Sequence, residues 1–294
     1  MNTNPSGTKT DALSYTMLRQ AVGIMGMALP FVLILGAWLF FHTCLRGSIS
    51  AYYYTHMRDV LVGTLWVIGF FLLSYQGPDG RNSIDDWAGN LACIFAVGAS
   101  LFPTDPPGSP TNPPGVSASF SAVGIIVLLI LLTLGFFLCR FTRTHPGHKL
   151  EGFKKSRNRV GKFRSWILVL CVLLMVIYRF VPADATIAQV HKLFSLLFFL
   201  TLAFFALCLF TQTHPGHKPE GFKIKRNRIY RLCGWIIVGC MVLIDIYMCV
   251  PTNATASLER CNPVLWLETI MVLSFGVSWW VKGEGLRWLN DRKA

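Results

Sequence analysis

The run QAVGIMGMALPFVLILGAWLFF, residues 20–41, decides the class of fold. It holds 22 residues without a charge, and about 20 apolar residues in a helix cross the roughly 30 Å of hydrocarbon in a bilayer. Backbone groups in that layer have no water to bond, so the run is expected as a helix that satisfies them internally. Comparable stretches at 58–76, 87–103, 118–139, 164–182, 187–210, 232–250 and 263–281 bring the predicted spans to eight. Two of these stand apart. Span 58–76 opens on Arg58 and Asp59 and needs that end at an interface, whereas 87–103 is short and rich in small residues and is expected to pack inside the bundle. Between them, QGPDGRNSIDD reads as a turn, and TDPPGSPTNPPG at 104–115 is a Pro/Gly loop.

Composition agrees with an all-α polytopic bundle. Of 294 residues only 14% are charged, against about 25% in soluble domains. The net charge of +13 is a question of placement. With the amino terminus inside, the segments expected in the cytoplasm hold 22 of the 27 Lys and Arg, leaving Arg46, Arg58, Arg179, Lys192 and Arg260 outside. That asymmetry follows the positive-inside rule, so both termini are expected to be cytoplasmic and the chain to be a multi-pass inner-membrane protein. Topology thereby absorbs the charge that would otherwise suggest nucleic acid, and the expected partners are membrane lipids. Oligomeric state is not legible. Nine cysteines carry no CxxC pair and are read as thiols rather than a metal or redox motif. The first apolar run is too long for a signal peptide core and reads as a retained helix.

Residues 141–167 (FTRTHPGHKLEGFKKSRNRVGKFRSWI) and 210–236 (FTQTHPGHKPEGFKIKRNRIYRLCGWI) agree at 17 of 27 positions. A helix–loop–helix hairpin has been doubled in tandem, with 118–186 the inserted duplicate of 187–250. Both copies keep the same orientation, unlike the inverted repeats of many transporters. His191 and Asp245 of the second copy align with Ala122 and Val176 of the first. The first copy is therefore read as architectural, and the remaining spans as the place for any active constellation.

The stretches SISAYYYTHMRDVLVGTLWVIGFFLLSYQG (48–77), NLACIFAVGASLFPT (90–104), HKLFSLLFFLTLAFFALCLFT (191–211), RNRIYRLCGWI (226–236) and FGVSWWVKGE (275–284) resemble a family of uncharacterised bacterial polytopic inner-membrane proteins. The resemblance covers most of the chain outside 118–186. It implies a bundle of about six spans, to which the extra hairpin is an addition, and it implies no activity.

Two groups of residues could carry chemistry. Ser50, His56 and Asp59 lie in or beside the short outer loop, while His191, Asp245 and Glu268 lie about 6–9 Å below the outer surface at 1.5 Å per residue. Ionisable groups at that depth usually face the bundle interior or a wet cavity. They suit an outward-facing pocket for a small ligand, ion or lipid headgroup. They also suit a divalent metal site in a membrane-embedded lipid hydrolase, or plain pairing with Arg179 in a structural or stress-related factor. The second group is the doubled HPGH, with His145, His148, His214 and His217. These four would make a zinc site if the loops met, and otherwise form solvated turns. No P-loop, dinucleotide fingerprint, GxSxG or haem motif occurs, so no organic cofactor is expected.

Overall fold

The computed structural model describes residues 5–75, 84–105, 185–212, 221–250 and 258–285, with side chains in the first and fourth helices from Thr16 and Ile187 onward. Every element among them is helical. In chain order they are α1 (Pro5–Phe41), α2 (Arg58–Ser74), α3 (Ile84–Leu101), α4 (Ala185–Phe204), α5 (Phe222–Cys249) and α6 (Pro263–Lys282). A short 3-10 turn (Ser50–Tyr54) precedes α2, and a π-helical turn (Phe205–Leu209) extends α4. The expected spans 118–139 and 164–182, the inserted hairpin, Arg179 and the four HPGH histidines lie outside the described residues.

Four segments are long and apolar enough to cross a membrane: Thr16–Phe41, Ile187–Leu209, Phe222–Cys249 and Pro263–Lys282. The chain is a membrane protein. Its outward surface has the character that lipid demands, since Phe31, Leu35, Trp38, Trp235, Leu243, Ile246 and Ile270 are all exposed. On a protein surrounded by water, an apolar surface of this extent would drive association.

Each helix packs against the next, and α6 returns against α1, so the six close into a ring. The amino-terminal part of α1, the ends of α2 and α4 and the starts of α3 and α5 share one end, the proximal end. The loop after α1, the 3-10 turn and the start of α6 share the other, the distal end. Thirteen of the eighteen residues of α3 are buried, which places this small-residue helix inside the bundle. Its start differs from expectation, because the IDD that read as part of a turn is its first turn, with Asp85 and Asp86 buried. Carboxylates there complement the positive end of the helix dipole. Likewise α5 begins ten residues before the expected span, at Phe222, and takes Lys223, Lys225, Arg226, Arg228 and Arg231 into helix rather than loop.

Close approach of α1 and α6 rests on missing side chains. A Cβ on Gly23 would stand 2.6 Å from the Trp280 amide nitrogen and 2.7 Å from the Gly276 carbonyl oxygen. A Cβ on Gly276 would stand 2.7 Å from the Gly23 oxygen. Small residues at helix crossings let backbones meet where lipid provides no hydrophobic drive between helices. Below this crossing an aromatic cluster fills the proximal half: Tyr75, Phe205, Phe210 and Trp279 meet with ring centroids 5.2–6.5 Å apart. The π-helical turn sets two of these rings, with the Phe210 amide bonded to the Phe205 carbonyl at 2.9 Å.

Gly276→Val is expected to lower the melting temperature in detergent by the equivalent of about 1–3 kcal/mol, the usual cost of overpacking. Gly63→Ala, where a new Cβ meets nothing within 4 Å, is expected to leave it unchanged. Thermal unfolding of the two variants side by side checks the difference.

Candidate functional site

Two breaks in the helical ladder meet at the distal end. Pro103 stops α3 at Leu101, because the residue before a proline is disfavoured in helical conformation. The last carbonyls of α3 are thereby left without intrahelical donors. On the other side His42, at a positive φ of 48°, turns the chain out of α1, and the loop re-enters as the 3-10 turn. That turn leaves amides of its own without acceptors.

Side chains from other helices meet both needs. The ring of His191, near the start of α4, places Nδ1 at 2.9 Å from the Ala99 carbonyl oxygen and 2.7 Å from that of Phe102. Glu268, on α6, accepts the Ile49 amide at 2.5 Å and also interacts with the amide and hydroxyl of Ser50. Ser48 Oγ accepts the Ala51 amide at 3.0 Å. Each of the two ionisable groups is therefore answered by backbone, and both act as helix caps supplied from a distance.

Between these caps lies a cavity of about 60 Å³. Its polar wall includes Ser50, Tyr53, Ser100, His191, Ser195 and Glu268, and its apolar wall includes Leu29, Leu65, Ile68, Phe199, Val272 and Phe275. Ser195 Oγ stands 3.2 Å from His191 Nε2. Since the two carbonyls at Nδ1 only accept, Nδ1 carries a hydrogen, and when the ring is neutral Nε2 offers its lone pair to the Ser195 hydroxyl. Around the mouth, Tyr54 donates to the Thr104 carbonyl at 2.6 Å. Lys192 pairs with Asp105 at 2.8 Å. Arg58 lies over the Tyr53 ring at 4.4 Å and donates to its hydroxyl at 2.7 Å. Burial pushes the Tyr52 hydroxyl above the ordinary phenol range, opposed by Arg46.

Of the six residues read from the sequence as a pocket, Ser50, His191 and Glu268 line this cavity and the other three do not. Asp59 is exposed in the first turn of α2, where its charge suits the helix amino terminus. His56 is exposed and stacks on Phe41 at 4.7 Å. Asp245 is half-buried on α5 beside the exposed Leu243, Ile246 and Met248, and its buried Oδ2 has no hydrogen-bond partner among the described residues. Depth along a helix was readable, but the face each side chain takes was not. As a result, the four-residue metal set of Asp59, His191, Asp245 and Glu268 does not assemble. Among the described residues no three His, Cys, Asp or Glu side chains gather closely enough to hold a metal ion.

Two features were missed. Ser195 follows His191 by four residues in HKLFS, a spacing that puts both on one helix face. The other is a polar cluster at the proximal end. Asp85, Asp86 and Asn90 are buried there. The Arg19 guanidinium lies 5.2 Å from the Tyr75 ring centre and Lys282 Nζ lies 5.1 Å from that of Phe210. Asp85 lies within electrostatic range of Lys282 and of Tyr75, and Gln20 donates to the Gly283 carbonyl at 2.6 Å. This cluster ties the starts of α1 and α3 to the end of α6.

Glu268→Ala is expected to leave the Ile49 amide without its acceptor, at a cost of about 1–3 kcal/mol, and to speed hydrogen exchange at residues 49–51. Glu268→Gln keeps an acceptor oxygen and is expected to retain most of the protection, which exchange mass spectrometry reads directly. Comparison with known proteins found no matching family model, no matching curated protein and no matching solved structure.

Proposed function

We propose that this chain is a multi-pass inner-membrane protein with cytoplasmic termini that binds a small amphiphile in the distal cavity, on the outward side of the membrane. The observation that carries the reading is the two-sided chemistry of that cavity. A carboxylate, an imidazole and hydroxyls lie along one wall, and aliphatic and aromatic side chains along the other. Such a wall pair suits a molecule with a hydrogen-bonding head and an apolar body, as ligand sites generally combine apolar lining with a few placed polar groups. The carboxylate of Glu268 favours a head that donates hydrogen bonds, an amine or a hydroxyl. At about 15 Å³ or less per water, the cavity holds only a few waters, so the head is small.

The orientation rests on the distribution of Lys and Arg along the sequence, with 22 of 27 in the segments expected in the cytoplasm. Membrane lipids are the nearest source of such amphiphiles, and nucleic acid has no place in this reading. A metal-dependent hydrolase is the weaker alternative, since only His191 and Glu268 of its ligand set reach the cavity. A purely structural role is the alternative in which the cavity holds water alone.

Native mass spectrometry of the protein extracted from its own membrane is expected to show one bound lipid-sized species. Val272→Phe, which adds bulk beside Glu268, is expected to lose that species while keeping the melting temperature. Absence of any bound species from the unaltered protein would favour the structural role. Fusion reporters on the carboxyl terminus test the orientation separately, with cytoplasmic fluorescence expected.

A further inference from the structure

Hydroxyls in the helices of this bundle usually return to the backbone one turn back. Ser74 donates to the Phe70 carbonyl at 3.0 Å, Thr201 to Leu197 at 2.8 Å, Thr211 to Leu207 at 2.8 Å and Thr269 to Leu265 at 2.7 Å. That bond hides the hydroxyl and makes a serine or threonine tolerable in an apolar layer. Ser195 departs from this pattern, because its Oγ is 3.2 Å from the lone-pair nitrogen of His191. His191 is itself held by the carbonyls of Ala99 and Phe102, so the ring is fixed in one tautomer and one orientation. A hydroxyl bonded to a base, with the base oriented by a third group, is the arrangement that activates a serine nucleophile. Both side chains line the cavity, so the pair faces the space that the small head of the amphiphile would occupy.

We propose that Ser195 is the nucleophile and His191 the general base of an acyl-transfer reaction on a carboxylic ester carried by the amphiphile in this cavity. The proposal rests on the amphiphile-binding reading above and adds the bond that is broken. As Oγ of Ser195 attacks the ester carbonyl carbon, its proton passes to Nε2 of His191. The carbon–oxygen bond to the alcohol then breaks, and Nε2 returns the proton to the departing alkoxide oxygen. Water attacks the acyl carbon next, giving a proton to the same nitrogen; the bond from that carbon to Ser195 Oγ then breaks as Nε2 hands the proton back to Oγ. The balance is ester plus water to carboxylic acid plus alcohol, with no metal or redox partner. Ala99 and Phe102 contribute only through their carbonyls, which keep the proton on Nδ1 and the lone pair on Nε2.

The test uses the full-length protein in detergent, treated with an alkyl fluorophosphonate and digested for mass spectrometry. A covalent phosphonyl adduct is expected on Ser195, and Ser195→Ala is expected to remove it. His191→Gln keeps a side-chain N–H for the α3 carbonyls but offers no basic nitrogen, and is expected to slow labelling at least about 100-fold, in line with general-base catalysis. A fluorophosphonate-treated sample with no adduct at Ser195 would overturn the proposal, as would equal labelling rates in His191→Gln. Native mass spectrometry of the same preparations separates the two readings. A bound amphiphile without an adduct removes the chemistry and leaves the binding site, whereas absence of both removes the binding site as well.

Discussion

Backbone groups that lose their helical partners inside an apolar layer must find others, and the distal end of this bundle is built around that constraint. Pro103 ends α3 among buried residues, and the 3-10 turn brings a second set of amides to the same end of the bundle. His191 answers the carbonyls and Glu268 answers the amides. Neither would be tolerable there without such a partner, since each is costly to bury alone. Capping from a distance also draws α3, α4, α6 and the loop after α1 toward one point. The cavity lies between the two caps, both of which line it.

The rest of the ring serves to hold this arrangement. Gly23 and Gly276 let α1 and α6 close the circle, which fixes where Glu268 stands relative to the 3-10 turn. At the opposite end the aromatic cluster, with Arg19 and Lys282 over its rings, anchors the same two helices. Asp85 and Asp86 are buried at the start of α3 there, with Asp85 in electrostatic range of Lys282, while its far end reaches His191. The functional pair His191 and Ser195 therefore sits on a helix braced at both ends, which is the support a positioned base requires.

Much of this was legible in the residues and some was not. The apolar runs marked α1, α4, α5 and α6 as helices able to cross a membrane, because length and composition settle that question. Small residues in α3 marked it as an interior helix. Position along the helices put His191 and Glu268 near one end of the bundle, and both line the cavity there. Asp245, expected at the same level, does not line the cavity, and neither does Asp59 at the start of α2. Rotation about a helix axis depends on which neighbour it packs against, and apolar residues on every side of these helices leave no polar face to read. Asp85 and Asp86 looked like turn residues because acidic side chains beside Asn and Gly usually are. Asp85 lies within electrostatic range of Lys282 at the far end of the sequence, which no local pattern reveals. Ser195 was readable from its spacing to His191, yet a serine in a membrane helix is ordinarily unremarkable.

An outward-opening site for an amphiphile between the capped ends would put Thr104 within reach of the outside. The most direct measurement places a single cysteine at Thr104, beside the cavity mouth, in a chain whose exposed Cys44, Cys249 and Cys261 have been replaced by serine. Intact spheroplasts are then treated with a membrane-impermeant maleimide. The account expects rapid labelling without lysis, slowed several-fold by a short-chain amphiphile with an amine or hydroxyl head and unaffected by the same head without its chain. Labelling only after the membrane is opened, or a rate indifferent to the amphiphile, would contradict it.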